Sequence, residues 1–428
     1  MAKSPGRSES MTIVNPPKTS ALPGPSLEEF EKARETVSRV AQITPMEVSR
    51  YLGDITGHDV FLKCENLQRT GSYKIRGAYN RMSQLTDEER ARGVVAASAG
   101  NHAQGVAFAA AELGTHATIF TPTGVALPKL QATRAYGAEV ILTGDTMAEP
   151  FQAAIDFAKE TGAIPIPPFD HHDVVAGQGT VGLEILDQVP QVDTVVVPIG
   201  GGGLMAGISS VIKQRAAAEG REVRVIGVQS ENIAPYPASL AAGKIVEVPT
   251  SPTIADGIAV ARPGELNFDI IRHTVDDVVT VSDDETARAI LMMMERAKLV
   301  VEPAGVVAAA AIIEGRVQAT GTTVAVLCGG NIDPMMLERV ISRGLASSGR
   351  YMKMRIPLPD RPGQLAKTSE IVADQNANVV EVLHTRHGTG LQISQVELEL
   401  HIEARGPEHI EQVLEALRRE GYDPRTEF

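Results

Sequence analysis

Short β-rich runs alternate along most of this sequence with helical stretches of about a dozen residues. This alternation predicts parallel βαβ units, because parallel strands need a crossover of about that length. The predicted strands are residues 59–65, 93–97, 117–120, 139–142, 194–198, 223–228 and 323–327, and the predicted helices between them include 72–85, 102–113 and 128–136. Parallel sheets bind ligands beyond the carboxyl ends of their strands, so the loops there are expected to carry the chemistry.

Length and composition bound the domain count and the class of protein. A chain of 428 residues predicts about two or three domains. The net charge of −13 argues against a nucleic-acid partner, which would need a concentrated basic face. The most apolar run, residues 306–313, is too short to span a bilayer and predicts a buried helix, so no membrane partner is expected.

The two cysteines and the first residues indicate the compartment. Cys64 and Cys328 offer neither a disulfide framework nor a zinc-ligand spacing. Residues 1–25 have no apolar core segment, and we expect them to be disordered and not a signal peptide. A reducing cytoplasm fits both features. Order is expected from Ser26, which forms a capping box with Glu29 ahead of the first helix.

A lysine follows the first of the predicted strands, where a helix is expected to begin. Ser72 is the predicted N-cap, which places Lys74 in the first turn. The positive end of the helix dipole opposes protonation of this amine and favours attack on a carbonyl. From this stretch alone, a solvated surface lysine is the alternative.

The turn after the predicted strand 93–97 can hold a carboxylate on its backbone amides. It leads into a helix and consists of Ser98, Ala99, Gly100, Asn101 and His102. Asn101 adds a side-chain amide, although a simple capping role is the alternative for this residue.

Four consecutive glycines follow the predicted strand 194–198 and lead into another helix. They are Gly200, Gly201, Gly202 and Gly203, and Leu204 comes next. Each glycine costs roughly 1 kcal/mol relative to alanine, so a bound group is expected to offset the cost. Backbone amides at a helix N-terminus can surround a phosphate, although the spacing is that of neither a P-loop nor a dinucleotide fingerprint. A flexible hinge is the alternative.

The predicted strand 323–327 ends at Cys328-Gly329-Gly330-Asn331. A thiol there could be a nucleophile, but no histidine and carboxylate partner lies nearby in the sequence. A neutral hydrogen-bonding role is therefore favoured.

Together these motifs resemble the pyridoxal-phosphate threonine and serine dehydratases of fold type II. The resemblance includes residues 176–184, 255–257 and 302–305, and it covers about residues 26–346. It implies an α/β catalytic domain with two parallel-sheet subdomains, the smaller one inserted at about residues 72–162. Threonine synthases and cysteine synthases share this fold, but the set of motifs fits them less well.

The resemblance also implies a role for each motif. Lys74 would form an imine with the aldehyde of pyridoxal 5'-phosphate, and Gly200 to Leu204 would bind its phosphate. Asn101 would bind the ring hydroxyl and Cys328 the pyridine nitrogen. Because a thiol is a neutral partner, the nitrogen need not be protonated, which favours loss of a β-leaving group.

The implied reaction is elimination from a hydroxy amino acid whose carboxylate is held by residues 98–102. Freed Lys74 would remove the Cα proton, and the β-hydroxyl would leave with a proton supplied through the cofactor phosphate. Threonine would give 2-oxobutanoate and ammonia, and serine would give pyruvate. The sequence does not decide which of the two is preferred.

Serine racemases and serine dehydratases are the nearest enzymatic alternatives. Racemisation needs a second acid/base group, which the racemases supply with a serine where this chain has Ala99. Glu231 matches a cation ligand of the racemases, but Tyr236-Pro237 replaces the expected acidic partner, so only a monovalent cation is considered. A catalytically inactive amino-acid sensor is a further alternative, which the intact lysine and glycine loop disfavour.

Residues 347–428 follow a short linker and predict an α+β domain. Their predicted elements have the order βαββαβ and are strand 351–358, helix 364–375, strands 378–384 and 393–402, helix 407–420 and strand 424–428. This order and the turn at 360–365 resemble an ACT domain. The resemblance implies an amino-acid effector, with isoleucine or valine as leading candidates, bound near Gly363 and Asn378. It also implies a homodimer or homotetramer, and a domain that serves oligomerisation only is the alternative.

Overall fold

The computed structural model describes residues 22–386, 392 and 394–427. Their contacts form two compact units, one of residues 22–289 and 293–333 and one of residues 290–292 and 334–427. Most of the segment predicted to be disordered lies outside the described residues. Its last residues do not fit that prediction, because Pro25 is buried and its carbonyl accepts a hydrogen bond from Gln214 Nε2 at 3.0 Å.

The first unit is built on two sheets. Its strands are β1 (Met46–Val48), β2 (Val60–Cys64), β3 (Val94–Ala97), β4 (Ala117–Thr121), β5 (Glu139–Leu142), β6 (Ile164–Pro165), β7 (Thr194–Pro198), β8 (Arg224–Ser230), β9 (Asp277–Val281) and β10 (Thr323–Leu327). The larger sheet has the order β1-β2-β10-β7-β8-β9 and is parallel except at β1. The smaller sheet has the order β5-β4-β3-β6 and is parallel throughout. Both observations confirm the predicted fold class.

Helices connect and cover these strands. They are α1 (Leu27–Val37), α2 (Arg50–Thr56), α3 (Lys74–Ser83), α4 (Asp87–Ala91), α5 (Asn101–Leu113), α6 (Leu127–Ala135), α7 (Ala148–Thr161), α8 (His172–Gln188), α9 (Gly203–Ala218), α10 (Pro235–Ala242), α11 (Glu265–Thr274), α12 (Asp283–Met292), which continues into a π-turn (Met293–Ala297), and α13 (Pro303–Ile313). Every residue of β7 and β10 is buried, as expected for parallel strands covered on both faces. Helix α13 is buried along nearly its whole length, which confirms the prediction for residues 306–313.

The two predicted helix caps have different outcomes. The capping box of Ser26 and Glu29 is present at α1, with both reciprocal hydrogen bonds. The predicted N-cap at Ser72 is wrong, because α3 begins at Lys74 and its N-cap residue is Tyr73. Ser72 instead forms an antiparallel bridge with Gly329, so its backbone follows the neighbouring loop before the helix starts.

The second unit contains a mixed α+β arrangement. Its elements are α14 (Pro334–Ser347), β11 (Tyr351–Pro359), α15 (Gln364–Asp374), β12 (Asn378–Thr385), β13 (Gln395–Glu403), α16 (Pro407–Arg419) and β14 (Arg425–Glu427). The four strands form an antiparallel sheet in the order β12-β13-β11-β14, which confirms the predicted βαββαβ arrangement. Apolar residues alternate along β11 and β13 and pack with those of α15 and α16. The predicted strand residues 393 and 428 lie outside the described residues.

Within the ranges given above, no helix combines the length and the apolar composition that crossing a bilayer requires.

Candidate active site

A cavity of about 390 Å³ opens at the carboxyl ends of strands from both sheets of the first unit. This volume falls within the usual range for small-molecule sites. Its lining includes all the residues predicted to bind cofactor or substrate: Lys74, Ser98, Ala99, Gly100, Asn101, His102, Gly200, Gly201, Gly202, Gly203, Leu204 and Cys328. The adjacent parallel strands β2, β10 and β7 bring the loops that follow them to one edge of the larger sheet.

Lys74 is the first residue of α3, and its amine reaches into the cavity. The backbone amide of Tyr73 donates to the carbonyl of Cys328 at 3.3 Å, which holds the start of α3 against the loop after β10. Lys74 Nζ donates to the carbonyl oxygen of Pro168 at 3.0 Å. A neutral carbonyl satisfies one hydrogen of the amine but does not neutralise its charge.

The surroundings of Lys74 weaken its hold on a proton. Burial lowers the pKa of Lys74 to about 8, and Cys328 and Glu302 oppose this effect only in part. Lys74 therefore has a much larger unprotonated fraction near neutral pH than a surface lysine, whose pKa is near 10.4. This fraction is the nucleophilic and basic form.

Several helices begin at the cavity. Lys74 starts α3, Asn101 starts α5, Gly203 starts α9 and Pro303 starts α13, where Glu302 is the N-cap residue. The positive ends of these helices favour anionic groups, so the cavity suits a ligand that carries phosphate and carboxylate.

The glycine loop before α9 has no space for side chains. A Cβ atom on Gly201 would overlap the ring of Phe169, and one on Gly202 would overlap the hydroxyl oxygen of Tyr236. Gly202 also has a φ of 100°, which L-residues with a side chain rarely adopt. In the described chain, the amides from Gly200 to Leu204 donate to no backbone carbonyl. They form a cradle of free donors with room for a tetrahedral anion.

The loop before α5 offers donors to a carboxylate. Gly100 is the N-cap residue of α5, and its own amide donates to Ser98 Oγ at 3.2 Å. Because Gly100 holds the capping position, Asn101 is not simply a cap. The amides of Ala99, Asn101 and His102 donate to no other group in the described residues, so they are available to a ligand.

The side chain of His102 is turned away from this role. Its Nε2 donates to the carbonyl of Ile166 at 2.8 Å, which assigns the ring hydrogen to Nε2. Burial, together with the charge of Lys74, lowers the pKa of His102 to about 3. His102 is therefore neutral at physiological pH and contributes its backbone amide.

A chain of amide contacts fixes the orientation of Asn101. Asn331 Nδ2 donates to the carbonyl of Thr70 at 2.7 Å, which identifies that atom as nitrogen. The same Nδ2 donates to Asn101 Oδ1 at 2.8 Å, so Asn101 Nδ2 must be the donor toward Glu302 Oε1 at 2.5 Å. One hydrogen of Asn101 Nδ2 is left for a further acceptor in the cavity.

Two further ionisable groups meet near Asn101. Burial is the main reason that the pKa of Glu302 rises to about 7, and the charge of Lys129 and the hydrogen bond from Asn101 limit the rise. Burial also raises the pKa of the Cys328 thiol well above its ordinary value, with a further rise from Glu302. Cys328 is thus a neutral thiol, and its Sγ lies 3.5 Å from the carbonyl of Ala304.

Three predicted site residues are not among those that line the cavity. Glu231 follows β8 on the surface, and the described residues contain no group of three or more His, Cys, Asp or Glu side chains that could hold a metal. Gly363 precedes α15 with a φ of 88°, and Asn378 is the exposed first residue of β12. Both belong to the second unit, so the cation and effector sites stay predictions.

Sequence reasoning missed several residues of the cavity. Glu302, which lines the cavity, and Asn331, which donates a hydrogen bond to Asn101, stand in the motifs that carried the family resemblance, but the motifs did not indicate their contacts. Phe169 follows β6, a strand of two residues that gives no periodic signal. Lys129 and Asp256 form an ion pair of 3.1 Å, although they are 127 residues apart in sequence. Only the folded chain shows that these two residues meet.

Comparison with known proteins identifies the families that the two parts of this chain resemble. The family model for pyridoxal-phosphate dependent enzymes matches residues 37–329, and the ACT domain model matches residues 355–421. An L-threonine ammonia-lyase of Thermotoga maritima is 45% identical over 401 residues, which cover 94% of this chain and 99% of that protein.

Solved structures agree with the family matches. The processed form of threonine deaminase isoform 2 from Solanum lycopersicum has a TM-score of 0.70 and 36% identity, and the match covers 79% of this chain and 98% of that chain. Maize serine racemase has a TM-score of 0.69 and 32% identity, covering 75% of this chain and 98% of that chain. The chain therefore belongs to the family of pyridoxal-phosphate dependent enzymes and carries a C-terminal ACT domain.

Proposed function

We propose that this enzyme is an L-threonine ammonia-lyase that converts L-threonine to 2-oxobutanoate and ammonia and also converts L-serine to pyruvate. The observation that carries the proposal is the convergence of the Lys74 amine, two helix N-termini and a neutral thiol on one cavity. The names of the Thermotoga and Solanum relatives support threonine as the substrate.

The residues of the cavity fit pyridoxal phosphate group by group. The amides from Gly200 to Leu204 would hold its phosphate, and the close contacts of Gly201 with the ring of Phe169 and of Gly202 with the hydroxyl of Tyr236 leave no room for a Cβ on this loop. The free hydrogen of Asn101 Nδ2 would reach the ring hydroxyl, and Cys328 would face the pyridine nitrogen. Lys74 supplies the amine for covalent attachment.

Lys74 is the proposed base. The bound cofactor supplies an aldehyde that bonds to amines and a ring that makes the Cα proton of the attached amino acid acidic. When the substrate amine replaces Lys74, the freed Lys74 Nζ takes the Cα proton. Its pKa of about 8 in the cofactor-free cavity is close to neutral pH, which favours proton transfer in both directions.

The loop from Ser98 to His102 orients the substrate. The free amides of Ala99, Asn101 and His102 lie at the positive end of α5 and would hold the substrate carboxylate. The neutral ring of His102, bonded to Ile166, adds no positive charge that would compete with Lys74.

Two neutral side chains favour elimination over other outcomes. Cys328 keeps its proton and would face the cofactor nitrogen as a neutral partner, so that nitrogen would not need to be protonated, which would favour loss of the β-hydroxyl. Ala99 carries only a methyl group, which cannot return a proton to the opposite face of Cα. The released enamine then takes up water and gives the 2-oxo acid and ammonia.

The test is a product assay on the full chain loaded with pyridoxal phosphate. We expect L-threonine to give equal amounts of 2-oxobutanoate and ammonia, L-serine to give pyruvate, and L-serine to give no D-serine on chiral chromatography. The absence of ammonia release from L-threonine would refute the proposal. Accumulation of D-serine would favour the racemase alternative.

We further propose that the ACT domain binds an amino-acid effector, with isoleucine or valine as candidates, near Gly363 and Asn378. Control of threonine breakdown by isoleucine would place the enzyme in isoleucine biosynthesis. The ACT match supports this regulatory role. Gly363, in a left-handed conformation, directly precedes α15. The exposed Asn378 is the first residue of β12, the strand that follows α15.

Activity assays and calorimetry on the full chain test the regulatory proposal. Isoleucine or valine should change activity, with a coupling of about 1–3 kcal/mol. Asn378→Ala should weaken the response, whereas Glu408→Ala, an exposed change elsewhere in the same unit, should not. A full chain that neither binds nor responds to any proteinogenic amino acid contradicts the proposal.

The proposed assembly is a homodimer or homotetramer in the cytoplasm. Both cysteines are free and buried, which fits a reducing compartment. A monovalent cation near Glu231 remains part of the proposal and should appear as potassium-dependent activity. Light scattering on the purified full chain gives the number of subunits, and a monomer would contradict the proposed assembly.

A further inference from the structure

One carbonyl of the glycine loop is held by three donors from the protein side. The carbonyl oxygen of Gly201 accepts hydrogen bonds from Asn267 Nδ2 at 2.9 Å, from Tyr236 Oη at 3.1 Å and from the amide of Gly264 at 3.3 Å. A carbonyl with three donors is firmly oriented, and a rotation of this peptide would break all three bonds.

The position of this carbonyl determines where the next amide points. In a trans peptide the C=O and the following N–H point in opposite directions, and the described chain contains no cis peptide bond. Because the Gly201 carbonyl faces Tyr236 and Asn267, the Gly202 amide faces the other way. Gly202 lines the cavity, whereas Tyr236 and Asn267 do not.

The carbonyl of Ile199, two residues before Gly201, is held in a similar way. The carbonyl of Ile199 accepts from Gln229 Nε2 at 3.2 Å, and Gln229 Oε1 accepts from the amide of Tyr236 at 3.0 Å. The Gly200 amide is therefore also directed away from the protein interior. The carbonyls of Ile199 and Gly201 are thus held inward, which directs the amides of Gly200 and Gly202 that follow them to the cavity.

The residues that hold these carbonyls are buried and fixed. Gln229, Tyr236 and Asn267 are each 0% exposed. Burial raises the pKa of Tyr236 far above its ordinary value, so its hydroxyl remains a donor. Asn267 Nδ2 also donates to the carbonyl of Phe169 at 3.2 Å, and the ring of Phe169 covers Gly201.

We propose that Tyr236 and Asn267 are positioning residues that hold the Gly201 carbonyl away from the cavity and thereby direct the Gly202 amide to the cofactor phosphate. The inference rests on the proposed function only in taking the phosphate of pyridoxal phosphate as the ligand of this loop. Preorganised donors do not have to reorient when the anion binds. Tyr236 and Asn267 would therefore strengthen phosphate binding without contacting the phosphate.

The experiment compares two probes, pyridoxal phosphate and pyridoxal, on the cofactor-free full chain. Both bond to Lys74, but only the first has a phosphate. For Tyr236→Phe we expect the dissociation constant of pyridoxal phosphate to rise about 3- to 10-fold, the effect of losing one hydrogen bond, with that of pyridoxal unchanged. The phosphorus NMR signal of the bound cofactor should also shift.

A matched control removes a tyrosine hydroxyl elsewhere. Tyr351 lies in the ACT unit and hydrogen-bonds to His401 Nδ1 at 2.7 Å. Tyr351→Phe should leave both dissociation constants and the phosphorus signal unchanged. Asn267→Ala serves as a second variant and should raise the pyridoxal phosphate constant further, provided that circular dichroism shows a native fold.

The outcomes separate this inference from the proposed function. If wild-type protein binds pyridoxal phosphate more tightly than pyridoxal and Tyr236→Phe keeps the whole difference, the positioning role is refuted and the proposed function stands. An equal loss for both probes shows that Tyr236 supports only the general shape of the site, which also refutes it. If wild-type protein binds neither probe, both proposals fail.

Discussion

Two cationic side chains, Lys74 and Arg76, lie two residues apart on α3 but differ in the charged groups that surround them. Arg76 is 1% exposed and is paired with Glu65 Oε1 at 2.8 Å and with Glu184 Oε1 at 2.6 Å. Lys74 reaches into the cavity, and no ion pair of the described residues includes it. Burial disfavours both charges, but the two carboxylates raise the pKa of Arg76, whereas the pKa of Lys74 falls to about 8.

The difference separates a charge that holds the fold from the amine that we propose does the chemistry. Around Arg76, Lys63 Nζ is 2.5 Å from Glu184 Oε2, and Thr44 Oγ1 donates to Glu65 Oε1 at 2.6 Å. We call Lys63, Glu65, Arg76 and Glu184 the paired cluster. It ties α3 to the end of β2 and to α8, so the helix that carries Lys74 is fixed, while Lys74 itself lies outside these ion pairs.

The largest expected effect is the loss of activity when Lys74, which lies outside the paired cluster, is substituted. Lys74→Ala should lower the rate of ammonia release from L-threonine by about 10⁴-fold or more, because it removes the residue that we propose is both the covalent anchor and the base. The free energy of unfolding of the cofactor-free protein should stay equal or increase, since an uncompensated buried amine is lost. Full activity of the variant would contradict the proposed role of Lys74.

The second effect is the loss of stability when Arg76, a member of the paired cluster, is substituted. Arg76→Met should lower the free energy of unfolding by about 3–5 kcal/mol, because Glu65 loses its main partner while buried. Arg262, half exposed and 3.1 Å from Glu265, is the matched control, and Arg262→Met should cost less than about 1 kcal/mol. Urea unfolding of both variants measures the difference. Equal stabilities would mean that the paired cluster does not hold α3.

Glu302 gives a pH-dependent test. Its pKa is raised from 4.5 to about 7, so the folded state keeps a proton that the unfolded chain loses. This contribution to stability is present below the unfolded pKa and is lost as pH rises to about 7, by roughly 3 kcal/mol in total.

Glu302→Gln should not show this loss. Urea unfolding of the cofactor-free proteins between about pH 5 and about pH 8 should show the variant gaining stability relative to the wild type as pH rises. Lys74 is present in both proteins, so the effect of its titration on the free energy of unfolding largely cancels in the difference between them. A difference that does not change with pH would mean that Glu302 is ionised in the folded protein throughout.

The smallest effect is expected at the mouth of the cavity. Lys129 and Asp256 are 3.1 Å apart, but the Asp256 side chain is 67% exposed. Asp256→Asn should change the free energy of unfolding by less than about 1 kcal/mol, since exposed pairs contribute little. A loss as large as that of Arg76→Met would show that exposure does not separate the two kinds of pair.

The sequence predicted the parts of the structure that have a strong local pattern. Strands 194–198 and 323–327 have the predicted ends, because apolar runs bounded by turns specify buried parallel strands. The edge strand 139–142 also has the predicted ends, although it is only partly buried. The glycine loop and the loop at Ser98 were found for the same reason, since each directly follows such a strand. Short strands such as β1 and β6 have no usable periodicity and were not predicted.

Contacts between distant residues could not be predicted in this way. The wrong N-cap at Ser72 followed from local capping preference, whereas the pairing of Ser72 with Gly329 determines where α3 starts. The partners of Arg76 lie 11 and 108 residues away, and the hydrogen bonds of Tyr236 and Asn267 to Gly201 span 35 and 66 residues. Such contacts depend on the register of the sheets and on helix packing, which local patterns do not encode.

The most direct test of the account locates the covalent anchor. Purified full chain loaded with pyridoxal phosphate is reduced with borohydride, digested and analysed by mass spectrometry. We predict that the pyridoxyl group is found on Lys74 and that the absorption of the bound cofactor near the violet edge of the visible disappears in Lys74→Ala. A label on another lysine, or none on the loaded protein, would contradict the central claim.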